Sequence, residues 1–235
     1  MPLQAIAGAG NMRGKLIVFE GIEGSGKTTQ LNRLSHWLDH DAGFQQRCQY
    51  HQLVGITVTR QPGGTSIGRA IRQLLLHSSP EAGLCNRTEL LLYAADRAQH
   101  VHELIRPKLE SGNIVLCDRY TDSTVAYQGY GRQLDLDLIH QLNAIATDGI
   151  WPDLTILLKL DAAAGLSRTF KRGPTDRIEQ SGLAFHQRVQ QGFEALAEQH
   201  SQRFATIDAS QSEAAITQQI GDLVTQRLEQ WYPLP

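Results

Sequence analysis

The stretch Gly21-Ile22-Glu23-Gly24-Ser25-Gly26-Lys27-Thr28 follows the apolar run Leu16-Ile17-Val18-Phe19 and leads into Thr29-Gln30-Leu31-Asn32-Arg33-Leu34. It fits the pattern G-x-x-x-x-G-K-[ST], with a strand before it and the start of a helix after it. That order makes a cradle for phosphate. Backbone N–H groups wrap the anion, the lysine reaches the β and γ oxygens, and the threonine hydroxyl is placed for Mg²⁺. The glycines let the backbone approach phosphate at angles that a side chain would block. A merely flexible turn would account for the glycines but not for a lysine and a threonine closing it. Residues Gly21 to Thr29 therefore predict a nucleoside triphosphate site.

A chain of 235 residues is long enough to bury a full core as one α/β domain, with or without a small lid. Its 22 basic and 24 acidic residues leave a net charge of −2, which argues against non-specific nucleic-acid or membrane binding. Cys48, Cys85 and Cys117 are scattered and lack C-x-x-C spacing, so neither a disulfide framework nor a zinc site is expected. Cys117 ends the apolar run Ile114–Cys117 and reads as a core residue. No apolar run reaches membrane-spanning length. Residues 1–12 lack the charged start and long apolar stretch of a signal peptide and read as a disordered or extended N-terminus, with Met12 an alternative start. Together these features predict a cytoplasmic protein.

Short apolar runs rich in β-branched residues recur at Lys15–Glu20, Gly55–Thr59, Ile114–Cys117, Leu154–Leu160 and Arg203–Ile207. Each is nearly continuous in apolar character, as strands buried on both faces should be. Helical patterns lie between them at Lys27–Leu38, Ser66–Leu76, Thr88–Leu109, Asp135–Ala146, Ala162–Phe170, Leu183–His200 and Glu213–Glu229, with a kink expected at Pro107. The polar stretch Asp39–Leu53 reads as an extended surface loop or a frayed helix end. Alternating strands and helices predict an α/β fold with a parallel sheet covered on both faces. Ligands of such sheets bind beyond the carboxyl ends of the strands. The glycine loop, Arg60 and Asp118 all fall there.

Asp118 closes an apolar strand, where a carboxylate can hold Mg²⁺ beside the β–γ bridge. Arg119 follows it, and Arg60 ends the second strand. Two guanidinium forks beside a triphosphate site suggest a second phosphate-bearing ligand, which an enzyme attacking only water would not need. The segment from Arg168 to Arg177 gathers Lys171 and Arg172 around Gly173-Pro174 and reads either as a cationic lid or as a solvated basic loop. His36, His40, His100 and His102 read as surface residues rather than metal ligands.

Together these segments resemble the thymidylate kinases of bacterial type. The resemblance runs from about Lys15 to Ile207 and is carried by Phe19–Gln30, Thr59-Arg60-Gln61-Pro62-Gly63-Gly64-Thr65, Leu91–His100, Asp118-Arg119-Tyr120, Ser123–Arg132, Pro152–Thr155 and Asp176–Gln180. It implies a P-loop NTPase fold: a five-stranded parallel sheet flanked by helices, in one kinase domain over residues 13–235 with a short mobile lid at about 162–180. It implies transfer of the γ-phosphoryl of ATP to dTMP for dTTP synthesis, with Mg²⁺ on Thr28 and Asp118, and a homodimer.

The implied roles map onto this chain residue by residue. Gly21, Ile22, Glu23, Gly24, Ser25, Gly26, Lys27, Thr28 and Thr29 would bind ATP. Glu23 would also accept the 3′-hydroxyl of dTMP, and Arg60 and Arg119 would hold its 5′-phosphate. Tyr93 would stack on thymine where the family usually has Phe, and Arg97, one turn on, would donate to a thymine carbonyl. Thr124 and Gln128 would line the pocket, and Tyr127 would press on C2′ and exclude ribonucleotides. The loop carries no arginine of its own, so Arg168 and Arg172 in the lid would join Lys27, Asp118 and Glu23 as the catalytic set. Four departures stand out. Gln61 occupies a usual Glu position, Phe170 stands where a further arginine is common, the stretch Asp41–Val54 is longer than usual, and Lys159 replaces an acidic residue. The rivals are another nucleoside monophosphate kinase, a P-loop NTPase switch, for which the guanine-reading N-K-x-D is missing, and an inactive binding module, which intact Lys27, Thr28 and Asp118 disfavour.

Overall fold

The computed structural model describes residues 12–77, 83–173 and 175–235. The N-terminal stretch 1–11 lies outside the described residues, as does the side chain of Arg172. Five strands, β1 (Leu16–Glu20), β2 (Gly55–Arg60), β3 (Asn113–Asp118), β4 (Leu154–Lys159) and β5 (Phe204–Asp208), form one sheet in the order β2-β3-β1-β4-β5. Every pairing is parallel. Phe19 is the register partner of Asp118 on one side of β1 and of Ile156 on the other. Because β1 is central, the chain leaves it toward opposite edges, and a crevice opens at its carboxyl end.

Side chains of β1 alternate between two apolar layers, as the period of a strand requires. Ile17 and Phe19 join the larger core with Leu116, Ile156 and Leu158. Leu16 and Val18 face a smaller one with Val101, Ile105, Leu109, Val115, Cys117 and Tyr120. Cys117 is thus a buried core thiol.

Helices cover both faces: α1 (Lys27–His40), α2 (Ala42–His51), α3 (Ser66–His77), α4 (Asn86–His100), α5 (Arg106–Glu110), α6 (Thr121–Thr124), α7 (Leu136–Thr147), α8 (Ala162–Arg172), α9 (Leu183–Gln199) and α10 (Glu213–Trp231). The long helix expected over Thr88–Leu109 is divided by a π-helical turn, Val101–Ile105, just before Pro107 opens α5. Proline lacks an N–H and cannot continue the α-helical ladder, and the wider π turn sits where that ladder is interrupted. The stretch read as a loop or frayed end contains a whole helix, α2, whose N-cap Asp41 accepts from Phe44 N at 2.7 Å. Phe44 and Leu53 anchor it in the core. A second π-helical segment, Val125–Gly131, carries Tyr127 and Gln128 toward the crevice.

Candidate active site

The loop after β1 turns through Gly24 at φ 71° and Gly26 at φ 91°, a region that side chains rarely adopt. Gly26 then caps α1 with no side-chain acceptor, so the N–H groups of the first turn point into the crevice. Lys27 is buried, and its Nζ donates to Gly21 O (3.0 Å), Ile22 O (2.7 Å) and Ser25 Oγ (3.2 Å). Burial, and then the charge of Arg119, lower its pKa to about 8, against the pull of Asp118, Glu23 and Glu20. A polyanion entering the loop would favour the charged form and raise that pKa again.

Thr28 Oγ1 donates to Asp118 Oδ2 at 2.6 Å, across ninety residues of sequence. A threonine hydroxyl and a carboxylate converging at a helix start are the hard oxygen donors that Mg²⁺ takes, with phosphate oxygens and water completing its shell. The donor set fits that ion.

The second anion face begins next to it. Arg60 and Asp118 are register partners at the ends of β2 and β3, which puts Arg60 on the rim. Arg119 holds a left-handed φ of 69°, a strained conformation for a side-chain-bearing residue. Its Nη1 donates to Gly21 O (2.9 Å) and Ser123 Oγ (3.1 Å), its Nη2 to Glu23 Oε1 (3.0 Å), and its guanidinium lies 4.9 Å over the Tyr127 ring. Tyr127 Oη donates to the same Glu23 oxygen at 2.6 Å. Burial alone would raise the pKa of Glu23. Arg119, with His186, Lys27 and Tyr127, outweighs it and holds the carboxyl down at about 2.

Every acceptor-side residue named from the sequence borders one cleft of about 540 Å³, as do Lys27, Thr28 and Asp118. Tyr93 is half-buried on its wall. Arg97 is fully buried and already donates to Gln61 Oε1 (3.1 Å), Asn143 Oδ1 (2.7 Å), Tyr120 O (3.1 Å) and Thr124 Oγ1 (2.7 Å). Of the five guanidinium hydrogens, one on Nη1 is left for a ligand. Gln61 thus keeps a hydrogen bond to that arginine. Gln128 Nε2 donates to Glu89 Oε1 at 2.8 Å.

Arg168 does not border the cleft. It lies on the outer side of the loop, where its Nη1 donates to Ala209 O at 3.2 Å and stands 3.5 Å from Gly24 O. Helix α8 approaches the loop so closely that a Cβ on Gly165 would stand 2.5 Å from Glu23 O. Past Gly173, Arg177 donates to Leu75 O at 2.9 Å and pairs with buried Glu89. Phe170 is exposed, and Lys159 pairs with Glu194 at 3.0 Å.

Several residues at the site escaped sequence reading. Glu20 ends β1 fully buried and accepts from Tyr120 N (2.8 Å), Ser123 N (3.1 Å) and Ser123 Oγ (2.6 Å). Burial, and then Asp122, lift its pKa to about 7. The signal was a carboxylate at the end of a wholly apolar run. His100, expected at the surface, is buried between Thr59 Oγ1 (2.7 Å) and Gln61 Nε2 (3.0 Å), and burial pushes its pKa down to about 4. Arg72 reaches the cleft from α3 with Nη1 donating to Pro62 O at 2.9 Å.

Fold and site define a P-loop protein with two anion-binding faces in one cleft, the arrangement of a nucleotide phosphotransferase. A family model described as thymidylate kinase matches residues 19–220. A thymidylate kinase of Cyanothece sp. is 55% identical over 229 residues, spanning 94% of this chain and 98% of that protein. One from Acaryochloris marina is 51% identical over 232 residues, spanning 94% and 100%. The crystal structure of thymidylate kinase from Ehrlichia chaffeensis superposes with a TM-score of 0.68 at 32% identity, covering 90% of this chain and 99% of that one. The chain belongs to the thymidylate kinase family.

Proposed function

We propose that this chain transfers the γ-phosphoryl group of ATP to dTMP, giving ADP and dTDP. The observation that carries the reading is the meeting in one cleft of a phosphate loop, an arginine face and an aromatic wall. The acceptor phosphate oxygen is already anionic, so no general base is required. Catalysis is alignment and charge neutralisation. Lys27 would exchange its loop carbonyls for the β and γ oxygens. Thr28 and Asp118 would hold Mg²⁺, which when bound neutralises phosphate charge. Arg60 and Arg119 would hold the 5′-phosphate of dTMP, and Glu23 its 3′-hydroxyl. Tyr93, Arg97, Thr124 and Gln128 would enclose thymine, with Tyr127 against C2′. Arg168 and Arg172 would supply positive charge from a lid that closes over the cleft.

An acceptor panel with labelled ATP tests the reading. dTMP should exceed AMP, GMP and UMP in kcat/KM by at least about 10²-fold. Transfer to AMP as fast as to dTMP would contradict it.

We also propose a cytoplasmic homodimer. Among the described residues no helix is long and apolar enough to cross a membrane. Val58, Ile67 and Leu91 on β2, α3 and α4 leave exposed apolar surface for pairing near the acceptor side. Light scattering at twice the chain mass supports the pairing, and a monomer at assay concentration opposes it.

A further inference from the structure

Glu23 sits on the phosphate loop with its two carboxylate oxygens in different circumstances. Oε1 accepts from Arg119 Nη2 and Tyr127 Oη. Oε2 is buried and has no hydrogen-bond partner among the described residues. The polar atom facing it is Nδ1 of His186, 3.4 Å away, and His186 is itself buried, with Nε2 also unpartnered. Two buried polar groups left facing each other just beyond good hydrogen-bond geometry are rare, because each forfeits its hydration.

His186 lies in the first turn of α9, a few residues past Asp176, Ile178 and Glu179, which line the cleft. Its helix is locked to the π-helical segment that carries Tyr127. Arg188 donates to Gly131 O at 2.8 Å, and a Cβ on Gly192 would stand 2.8 Å from Tyr130 Cγ. Phe185 and Phe193 on the same helix pack edge-on against the Tyr127 ring. Tyr127 and His186 therefore approach Glu23 from two elements packed tightly against each other.

We propose that His186 is a positioning residue for Glu23: its Nδ1–H donates to Oε2 and fixes the carboxylate so that Oε1 meets the 3′-hydroxyl of the acceptor. The proposal rests on the reading of Glu23 as the 3′-hydroxyl contact. It makes the first turn of α9 part of acceptor recognition, and it ties α9 to the phosphate loop through one hydrogen bond. Closing the 3.4 Å gap needs only a small rotation of the imidazole or the carboxylate. The hydrogen bond is charge-assisted, since Glu23 is ionised.

The test compares kcat/KM for dTMP and for 2′,3′-dideoxythymidine 5′-monophosphate in the full chain. Glu23→Ala should abolish the preference for dTMP. A Glu23→Ala enzyme that keeps it rejects the reading of Glu23, and the proposal with it. Given that loss, His186→Phe should cut the preference about tenfold, acting on dTMP and sparing the dideoxy analogue. His186→Gln, which keeps a donor, should restore most of it. A preference unchanged in His186→Phe, or an equal fall for both acceptors, overturns the proposal. If His186→Phe does not fold, ¹⁵N-histidine NMR of the unaltered protein decides. dTMP should shift the His186 Nδ1 resonance and the dideoxy analogue should not. Equal responses to the two overturn the proposal.

Discussion

Gly165→Ala separates the fit of α8 against the phosphate loop from the stability of the helix. An alanine Cβ there would stand 2.5 Å from Glu23 O and 2.8 Å from Ile22 Cδ1, so the obstacle includes backbone of the phosphate loop. Carbon contacts rest near 3.5 Å, so α8 must withdraw by about 1 Å. Gly165 is helical, and alanine favours a helix over glycine by about 1 kcal/mol, which offsets part of the lost contact. The complementary change at Gly24 is less clean, because φ 71° there would add backbone strain. Arg168, three residues along α8, moves with the helix and leaves its contact with Ala209 O. The proposed closure would carry α8 as a body from this position, so an offset of about 1 Å set here would displace the Arg168 charge from its transition-state position and cost roughly 10² in rate. The assay is coupled ADP release at saturating ATP and dTMP, with a thermal melt in parallel. The expected result is a kcat about 10²-fold lower with Tm moved by no more than about 4 °C. A kcat within about threefold of the parent would refute the claim that this contact sets the working position of Arg168.

Lys27→Ala should lower turnover by at least about 10³ while far-UV circular dichroism stays unchanged; surviving turnover would remove Lys27 from the mechanism. Tyr127→Ala should raise activity on ribonucleotides relative to dTMP. Tyr127→Phe, which releases Glu23 but keeps the ring, should hold the deoxy preference, and an unchanged preference in both would reject the steric role. Glu20 carries a pH signature. Its pKa rises on folding from 4.5 to about 7, so the folded chain binds more protons than the unfolded one between those values. Its contribution to stability therefore falls as pH rises through that window. Urea unfolding at about pH 5 and pH 8 should show the parent losing on the order of 3 kcal/mol more than Glu20→Gln, and parallel profiles would contradict the burial argument.

The parallel sheet was legible because strands buried on both faces leave continuous apolar runs. The run Ile114–Cys117 became β3, Asn113–Asp118, with one residue added at each end. The phosphate loop was legible because its chemistry is compressed into eight adjacent residues. Helix α2 was not, since Phe44 is its one buried residue and a lone apolar side chain makes no 3.6-residue stripe. The π-helical segment at Val125–Gly131 has no periodic signature of its own. His100 read as a surface histidine, and nothing in the sequence singled out His186. Their burial depends on neighbours far along the chain, Thr59 and Gln61 for one and Glu23 for the other. Arg97 was expected on the face of Tyr93, and both border the cleft, but its commitment to Gln61, Asn143, Tyr120 and Thr124 depends on packing of residues far apart along the chain, which no local pattern encodes.

The central claim is that one cleft aligns a triphosphate tail with the phosphate of a deoxythymidine ester. A crystal structure with a covalent dTMP–ATP bisubstrate mimic tests it directly. The account predicts thymine beside Tyr93 and Arg97, with the phosphate chain running past Arg119 to Lys27 and the first turn of α1. Thymine seated anywhere else, or a phosphate chain that bypasses Arg119, would contradict it.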